Sequence, residues 1–491
     1  MRRKQQHFFV FLFIVALHFY LPGTAQSGRG SRPNVIVLLA DDLGWSDTQC
    51  YGSSYYETPN IDALARSGMR FTDAYSACTV CSPSRASMLT GKYPGRLHVT
   101  DWITGYQRPF AKLLPPPWTA FLAQEELTIA EVLKKQNYVT AMIGKWHLGD
   151  DVKYYPEQQG FDNNIGGTFQ GSPPSYFSPY RNARLSDGPR GEYLTDRLTD
   201  EAMDFIRREK ENPFFLYLSF YAVHTPLQAK ESDVALYKEK IKTASNQQNP
   251  LYAAMVHNLD ENIGRLYQLV KQLGLSRNTL IIFTSDNGGL IKGDNWAKGK
   301  ITSNHPLRGG KGTPYEGGTR VPLICSWEGK IKAGSLSKQP VIGADLFPTI
   351  VAAAGNDPSK LNVDGVNLLP LLKGNTNIKR PALFWHYPHY HSEGATPYSA
   401  IRKNDWKLIY SFEDGRKELY NLLKDQGEKN NLSARDPERT DALYKELVIW
   451  QKEVAAQLPT SNPAYDSTKE KLGGGAQKRT VKDTRTVEEN E

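Results

Sequence analysis

Cysteine is scarce in this chain, and that scarcity narrows what the protein can be. Four are present, Cys50, Cys78, Cys81 and Cys325. They are too few and too scattered for a disulfide scaffold, and no CxxC…CxxC spacing offers a zinc site. If Cys81 is functional, three remain, which allow one bridge at most. Dense Lys/Arg blocks are also missing. The 60 basic and 52 acidic residues leave a net charge of +8 spread over 491 residues. Such a mild excess suits an anionic substrate and equally suits ordinary solvated faces; it gives no case for nucleic acid. No internal repeat is present, and long apolar runs are absent with one exception. Phe8 to Leu21 follows Arg2, Arg3 and Lys4 and leads into small residues ending at Ala25. That order of charged, apolar and small residues is a secretory signal, and the run is short for a bilayer span. Residues 1–25 are expected to be removed on export, leaving a secreted or periplasmic protein with no stable membrane anchor. Three positive and no negative charges leave with them, which takes +8 to +5.

What remains reads as a large globular chain. A Gly/Ser linker at Ser27–Ser31 precedes Asn34 to Leu39, an unbroken apolar run of the kind found in strands buried on both faces. Similar runs recur at Val139–Ile143, Phe214–Ser219, Thr279–Thr284 and Val321–Trp327. Helical spacing appears at Pro59–Met69, Thr128–Gln136, Thr195–Arg207 and Leu251–Leu273, while Tyr154–Arg190 has the Gly, Pro and Ser content of a long irregular loop. This alternation predicts an α/β fold: a large, mostly parallel sheet with helices on both faces, spanning about 31–375. From about Arg380 the texture changes to shorter strands (Tyr398–Arg402, Trp406–Ser411, Lys417–Asn421) and a helix at Asp441–Leu458. A small α+β subdomain with an antiparallel sheet over 380–460 follows, and a polar, disordered tail over 464–491.

One stretch stands out, Cys81-Ser82-Pro83-Ser84-Arg85-Ala86-Ser87-Met88-Leu89-Thr90-Gly91. Ser82 is a plausible N-cap, Pro83 suits the first helical position, and Gly91 suits a left-handed stop. A thiol at such a helix start meets unpaired backbone donors and the positive end of the dipole, which lowers its pKa, and Arg85 adds a fixed charge. Spacing alone leaves this reading level with that of a capped surface helix carrying an incidental cysteine. The strand ends add weight to the first. In an open α/β sheet ligands bind beyond the carboxyl ends of the strands, and four such ends carry Asp41 and Asp42, Lys145 and His147, His224, and Asp286 and Asn287. Each alone is ordinary turn chemistry or a structural histidine. Together, three carboxylates and an amide make a hard-cation site suited to Ca²⁺ or Mg²⁺, and the histidines and lysines, with Lys311 from a Gly-rich loop, supply proton transfer and anion binding.

The stretch at Cys81 resembles the sulfatase signature C-x-P-S-R-x-x-x-x-T-G, and Gly144-Lys145-Trp146-His147 resembles that family's second signature. The likeness covers nearly the whole mature chain. It implies an arylsulfatase-like hydrolase of the alkaline phosphatase superfamily with a formylglycine made from Cys81 by a maturing enzyme. By the same resemblance Asp41, Asp42, Asp286, Asn287 and the modified Cys81 hold the metal, Arg85 steadies the formylglycine, and Lys145 and Lys311 contact sulfate. His147 acts on the second hydroxyl of the hydrated aldehyde, and His224 with Lys311 protonates the leaving alcohol. The implied course is in-line attack on sulfur, release of the alcohol, and expulsion of sulfate as the aldehyde re-forms. Close relatives within the superfamily cleave phosphodiesters or phosphonate monoesters with the same nucleophile, so the machinery is better fixed than the leaving group. A catalytically silent binder of sulfated glycans is the reading from another class.

Loops around this edge should build the substrate pocket. Candidates are His98, Asp101 and Trp102, the aromatic-rich Tyr154–Tyr180, Asn295-Trp296, and His386 to His391, with His389 favoured. Aromatic faces and His/Asp hydrogen bonds suit a sugar, so a sulfated carbohydrate is the expected substrate. Trp296 and Trp385 could equally pack the interface between the two parts of the chain.

Overall fold

The computed structural model describes residues 32–240, 246–292, 299–375 and 378–473. The signal at 1–25, the linker at 27–31, the Asn295-Trp296 pair and residues 474–491 lie outside the described residues.

Asn34–Ala40 is the strand on which the fold is built. Every one of its residues is buried, because its alternate side chains enter two different cores. Ile36 and Leu38 join one, together with residues of the helices Pro59–Ser67, Leu194–Glu209 and Pro250–Gln272. Val35, Val37 and Leu39 join the other, with the helices Cys81–Thr90, Ile129–Lys134 and Leu346–Ala353. A strand with cores on both sides must be apolar throughout, which is why the run is unbroken.

Eight strands form the sheet, in the order Ser335–Ser337, Met69–Phe71, Leu323–Ser326, Thr279–Ser285, Asn34–Ala40, Phe214–Ser219, Val139–Gly144 and Asn163–Ile165. Leu323–Ser326 runs antiparallel to both of its neighbours, and the other pairings are parallel. Register aligns the carboxyl ends: Ala40 pairs with Ser285, Leu39 with Ser219, and Gly144 with Ser219. The polar residues that follow four of these strands are thereby delivered to one edge.

The expected irregular loop at Tyr154–Arg190 contains the edge strand Asn163–Ile165, which polar Asn163 and Asn164 hide from any apolar pattern. At the other end, Leu383–Tyr387, Tyr398–Lys403, Trp406–Ser411 and Lys417–Asn421 form an antiparallel sheet in that order. Its helix spans Pro437–Glu453 rather than Asp441–Leu458, because Asp436 accepts from the Arg439 N–H and Pro437 occupies the first turn. Residues 464–473, expected as tail, form turns, and the Glu470 carbonyl accepts from Arg108 Nε at 2.9 Å.

The small sheet shares its core with the first half of the chain, since Tyr75, Cys78 and Val80 cluster with Trp385 and Tyr387. Trp385 donates to the Ser76 carbonyl at 2.9 Å, so it packs this junction. Beneath it lies a buried ion cluster in which Lys407 Nζ sits 2.9 Å from Glu316 and 3.0 Å from Glu428. Glu316 also pairs with Arg320 Nε at 2.9 Å, so Lys407→Met strips buried Glu428 of its counter-ion and is expected to cost about 3–5 kcal/mol by denaturant titration at neutral pH. The deficit should shrink as pH falls from neutral toward about 4.3, the ordinary Glu value. A carboxyl raised in the fold takes up its proton there before the unfolded chain does, so stability is lost as pH rises through its folded pKa. An unchanged denaturation midpoint would remove this role for Lys407.

Candidate active site

Cys81 is the first residue of its helix and Val80 the N-cap. Ser82 is therefore not the cap. Its Oγ donates to the His147 carbonyl at 2.9 Å and accepts from the Ile103 N–H at 3.1 Å, tying three segments of the site together. Nor does this helix lie on the surface, for all ten of its residues are buried. Burial also reverses the expected effect on the thiol. Desolvation pushes Cys81 up to about 12, more than Lys145 and Lys311 pull it down. Arg85 is occupied elsewhere: Nε and Nη2 reach Asp286 Oδ2 at 2.9 and 2.7 Å, and Nη1 reaches the Lys145 carbonyl and Ser219 Oγ at 3.0 and 2.6 Å.

The other strand ends converge on this thiol. Cys81 Sγ lies 3.8 Å from Asp41 Oδ1, and ligand atoms of Asp41, Asp42, Cys81 and His224 all lie within 4.8 Å of one another. Lys145 Nζ pairs with Asp41 Oδ2 at 2.6 Å, and Lys311 Nζ with Asp42 at 2.8 Å. Burial tends to raise Asp42, but Lys311, His224 and Lys145 outweigh it and hold the carboxyl low. Asp286 is likewise held low by Arg85 and Lys145 against its burial. Asp41 ends differently: burial pushes it up to about 8, more than Lys145 can offset. Beside it, Asn287 donates through Nδ2 to Asp42 Oδ1 at 2.7 Å, while its Oδ1 is buried with no hydrogen-bond partner among the described residues. An orphaned buried acceptor beside a cluster of carboxylate oxygens fits a hard cation.

Two histidines complete this edge, each with its proton placed by a backbone carbonyl. His147, at φ +60°, meets the Ile103 carbonyl through Nε2, leaving Nδ1 unprotonated and without a partner. Burial, with Lys145 adding to it, holds its pKa well below the usual histidine range. His224 Nδ1 meets the Thr225 carbonyl at 2.7 Å, and its Nε2 lies 3.6 Å from Asp42 Oδ2. Burial and then Lys311 push His224 down to about 3. Gly171 lies against the His147 ring, where an added Cβ would come within 2.6 Å of Cε1 and Nε2. Gly171→Ala is expected to displace that ring and lower kcat by about 10²-fold, with the melting temperature little changed. Wild-type kcat in this variant would place His147 away from the reacting atoms.

A cavity of about 260 Å³ opens over these groups, and Cys81, His147, His224 and Lys311 contribute to its lining. Trp102, His224 and Lys311 line it as expected, whereas three other expected substrate contacts, Lys145, His98 and His389, do not. His98 turns Nε2 to the Ala455 carbonyl at 3.1 Å. His389 is buried against Thr100, with Nε2 2.8 Å from its Oγ1. Asp101 is a support for the wall rather than part of it, holding the Tyr387 hydroxyl and the Trp102 N–H at 2.8 and 2.9 Å. In place of His389 the same loop presents His391, Ser392 and Glu393, and Ile103, Gly171, Ser172, Thr225 and Leu290 fill the remainder. The sequence does mark the loop, through its His-Tyr-Pro-His-Tyr-His run, but not which histidine faces inward.

The sulfatase family profile matches residues 33–356, and that for the N-sulphoglucosamine sulphohydrolase C-terminal region matches 310–454. Human N-acetylgalactosamine-6-sulfatase is 32% identical over 482 residues, covering 89% of this chain and 88% of that protein. A sulfatase of Formosa agariphila is 32% identical, with 84% and 86% covered. Among solved structures, Ps i-CgsB in complex with k-i-k-neocarrahexaose superposes with a TM-score of 0.73 at 32% identity, covering 89% of this chain and 96% of that one. The chain belongs to the sulfatase family, whose members are sulfuric ester hydrolases.

Proposed function

We propose that this sulfatase removes sulfate from a sulfated carbohydrate, using a formylglycine made from Cys81 and a divalent cation, Ca²⁺ or alternatively Mg²⁺. The observation that carries the proposal is the meeting of Cys81, Asp41, Asp42 and His224 within 4.8 Å on a sheet edge where Arg85, Lys145 and Lys311 offset the carboxylates. Three carboxylates against three cations leave little net charge. A bound divalent ion then gives the site the positive excess that an anionic ester requires. Support for carbohydrate comes from the relatives, one an N-acetylgalactosamine-6-sulfatase and another crystallised with a neocarrahexaose.

Asp41, Asp42, Asp286, Asn287 and the modified Cys81 are the groups to hold the cation, which when bound supplies charge that polarises the ester. Once formed, the hydrated aldehyde supplies one hydroxyl to attack sulfur and a second through which sulfate is expelled. Lys145 and Lys311 bind sulfate oxygens, and Arg85 acts through Asp286, which it holds in place. Asp42 keeps Lys311 protonated against its burial, so Lys311 is the proton source beside the leaving oxygen. His224 shares this role, because an ester anion against Nε2 brings a proton there while the Thr225 carbonyl keeps the one on Nδ1. His147 Nδ1 takes a proton from the second hydroxyl, since the Ile103 carbonyl fixes the tautomer that leaves it free. Trp102 contacts the sugar. The partners are the substrate and a formylglycine-generating maturase. Among the described residues no helix is long and apolar enough to cross a membrane, and the signal-like N-terminus supports export.

The test is turnover of an aryl sulfate against an aryl phosphodiester by protein produced with a formylglycine-generating enzyme. At least about tenfold preference for the sulfate is expected, about 1.4 kcal/mol in transition-state binding. Preference for the diester, or an unmodified thiol at Cys81 in native material by mass spectrometry, would overturn the proposal.

A further inference from the structure

We propose that His391 determines specificity: its Nε2–H, together with the indole N–H of Trp102, recognises an uncharged oxygen acceptor, a hydroxyl or an amide carbonyl, on the sugar that carries the scissile sulfate. The proposal rests on the sulfatase reading above and adds the kind of sugar surface the site reads.

Both residues line the catalytic cavity. His391 comes from the far end of the chain, on the loop that follows the strand Leu383–Tyr387, and it is 6% exposed. Its Nδ1 accepts from the Glu393 backbone N–H at 3.1 Å. A nitrogen that accepts carries no proton, so in the neutral ring the proton is on Nε2, at the other edge of the imidazole. Among the described residues Nε2–H makes no hydrogen bond. The ring cannot swing away freely, because it is seated on the Gly-rich loop next to Lys311. A Cβ at Gly312, whose φ is +78°, would lie 2.1 Å from Nδ1. Burial and the Lys311 charge push the ring down to about 3, so it stays neutral at working pH.

Trp102 offers the second donor. Its Nε1 is buried with no partner among the described residues, although indole N–H groups in such places ordinarily find one. Ser172, Thr225 and Ser392 add further uncharged polar residues to the lining, and Glu393 is its acidic member, so among the described residues the wall offers, beyond Lys311, no cationic side chain to a second anion. Lys311, the cationic side chain of the lining, is held on Asp42, and Lys145, which does not line the cavity, on Asp41. Neutral donors satisfy neutral acceptors well, whereas stripping water from a carboxylate or a second sulfate calls for a charged partner. The wall therefore favours a monosulfated hexose or N-acetylhexosamine over a substrate with a second anion beside the reacting group.

The test compares kcat/KM on two probes, a small aryl sulfate and whichever of a panel of monosulfated hexoses and N-acetylhexosamines is turned over fastest. The readout is the ratio of sugar to aryl activity. In H391F that ratio should fall about 10- to 100-fold, the range expected when a site built to hydrogen-bond a substrate loses its donor. H391Q, whose amide N–H can stand near Nε2, should recover part of it. W102F reads the same ratio through the other donor and serves if H391F does not fold. An unchanged ratio in H391F and W102F, or faster turnover of a disulfated or uronate-bearing counterpart by the parent enzyme, overturns the assignment while leaving the sulfatase reading intact. A matured parent enzyme inactive on every sulfate ester overturns both.

Discussion

Cys81→Ala should abolish turnover, by a factor on the order of 10⁶ as when other covalent nucleophiles are removed, and leave the fold in place. The side chain is buried, and its thiol makes one long polar contact, to Asp41 at 3.8 Å. Removing one sulfur from such a site costs at most about 1 kcal/mol. The kinetic loss and the unchanged melting temperature must therefore appear together, measured by steady-state hydrolysis and thermal denaturation on the same preparation. Burial pushes the unmodified thiol up to about 12, so at neutral pH it stays protonated. A thiol so placed is a poor nucleophile, and the residue acts as a precursor instead. Cys81→Ser separates the two ideas. A serine hydroxyl can attack sulfur once but has no second hydroxyl through which to expel sulfate, so at most one alcohol is released per protein molecule. Steady turnover by either variant would take the nucleophile away from Cys81.

How much of this was legible in the sequence depended on whether the signal was local. Strands buried on both faces announce themselves, and Phe214–Ser219, Trp406–Ser411 and Lys417–Asn421 have the expected bounds. Residues that follow a strand inherit its register, which is why Asp41, Asp42, Lys145, His147, His224, Asp286 and Asn287 could be gathered from the sequence. What could not be read was anything set by packing between distant segments. Ser82 has the chemistry of an N-cap, yet its hydroxyl bridges His147 and Ile103, 65 and 21 residues away. Lys145 and Lys311 do pull the Cys81 thiol down, but the loss of solvent around it exceeds them. His389 and His391 sit two residues apart on one loop, and only the position of Thr100 and Gly312 decides which faces the cavity. The same holds for Asn163–Ile165, a strand made by the open edge of its neighbour rather than by its own side chains.

Asp286 gives the second large effect, because one carboxylate serves two charges. Its Oδ2 accepts from Arg85 Nε and Nη2, and its Oδ1 from the Asp42 N–H at 3.2 Å. Asp286→Ala strips the guanidinium of its main partner, leaving Asp41 Oδ1 at 3.6 Å, and should cost about 3–5 kcal/mol of stability. Asp286→Asn keeps the shape and an acceptor for the Asp42 N–H while removing the charge, so it should fold better than the alanine variant and still fail to hold a divalent ion. Elemental analysis is expected to find about one ion per chain in the parent protein and almost none in either variant, with turnover lost in step. Chelation supplies the independent readout. A ligand that binds only the folded state raises stability by RT ln(1 + [L]/Kd), so removing it must lower the melting temperature of the parent protein and leave that of Asp286→Asn unmoved. Full ion content in Asp286→Asn would show that the charge of Asp286 serves Arg85 alone and that the cation is held by other groups, and a parent melting temperature indifferent to chelator would overturn the stabilising cation itself.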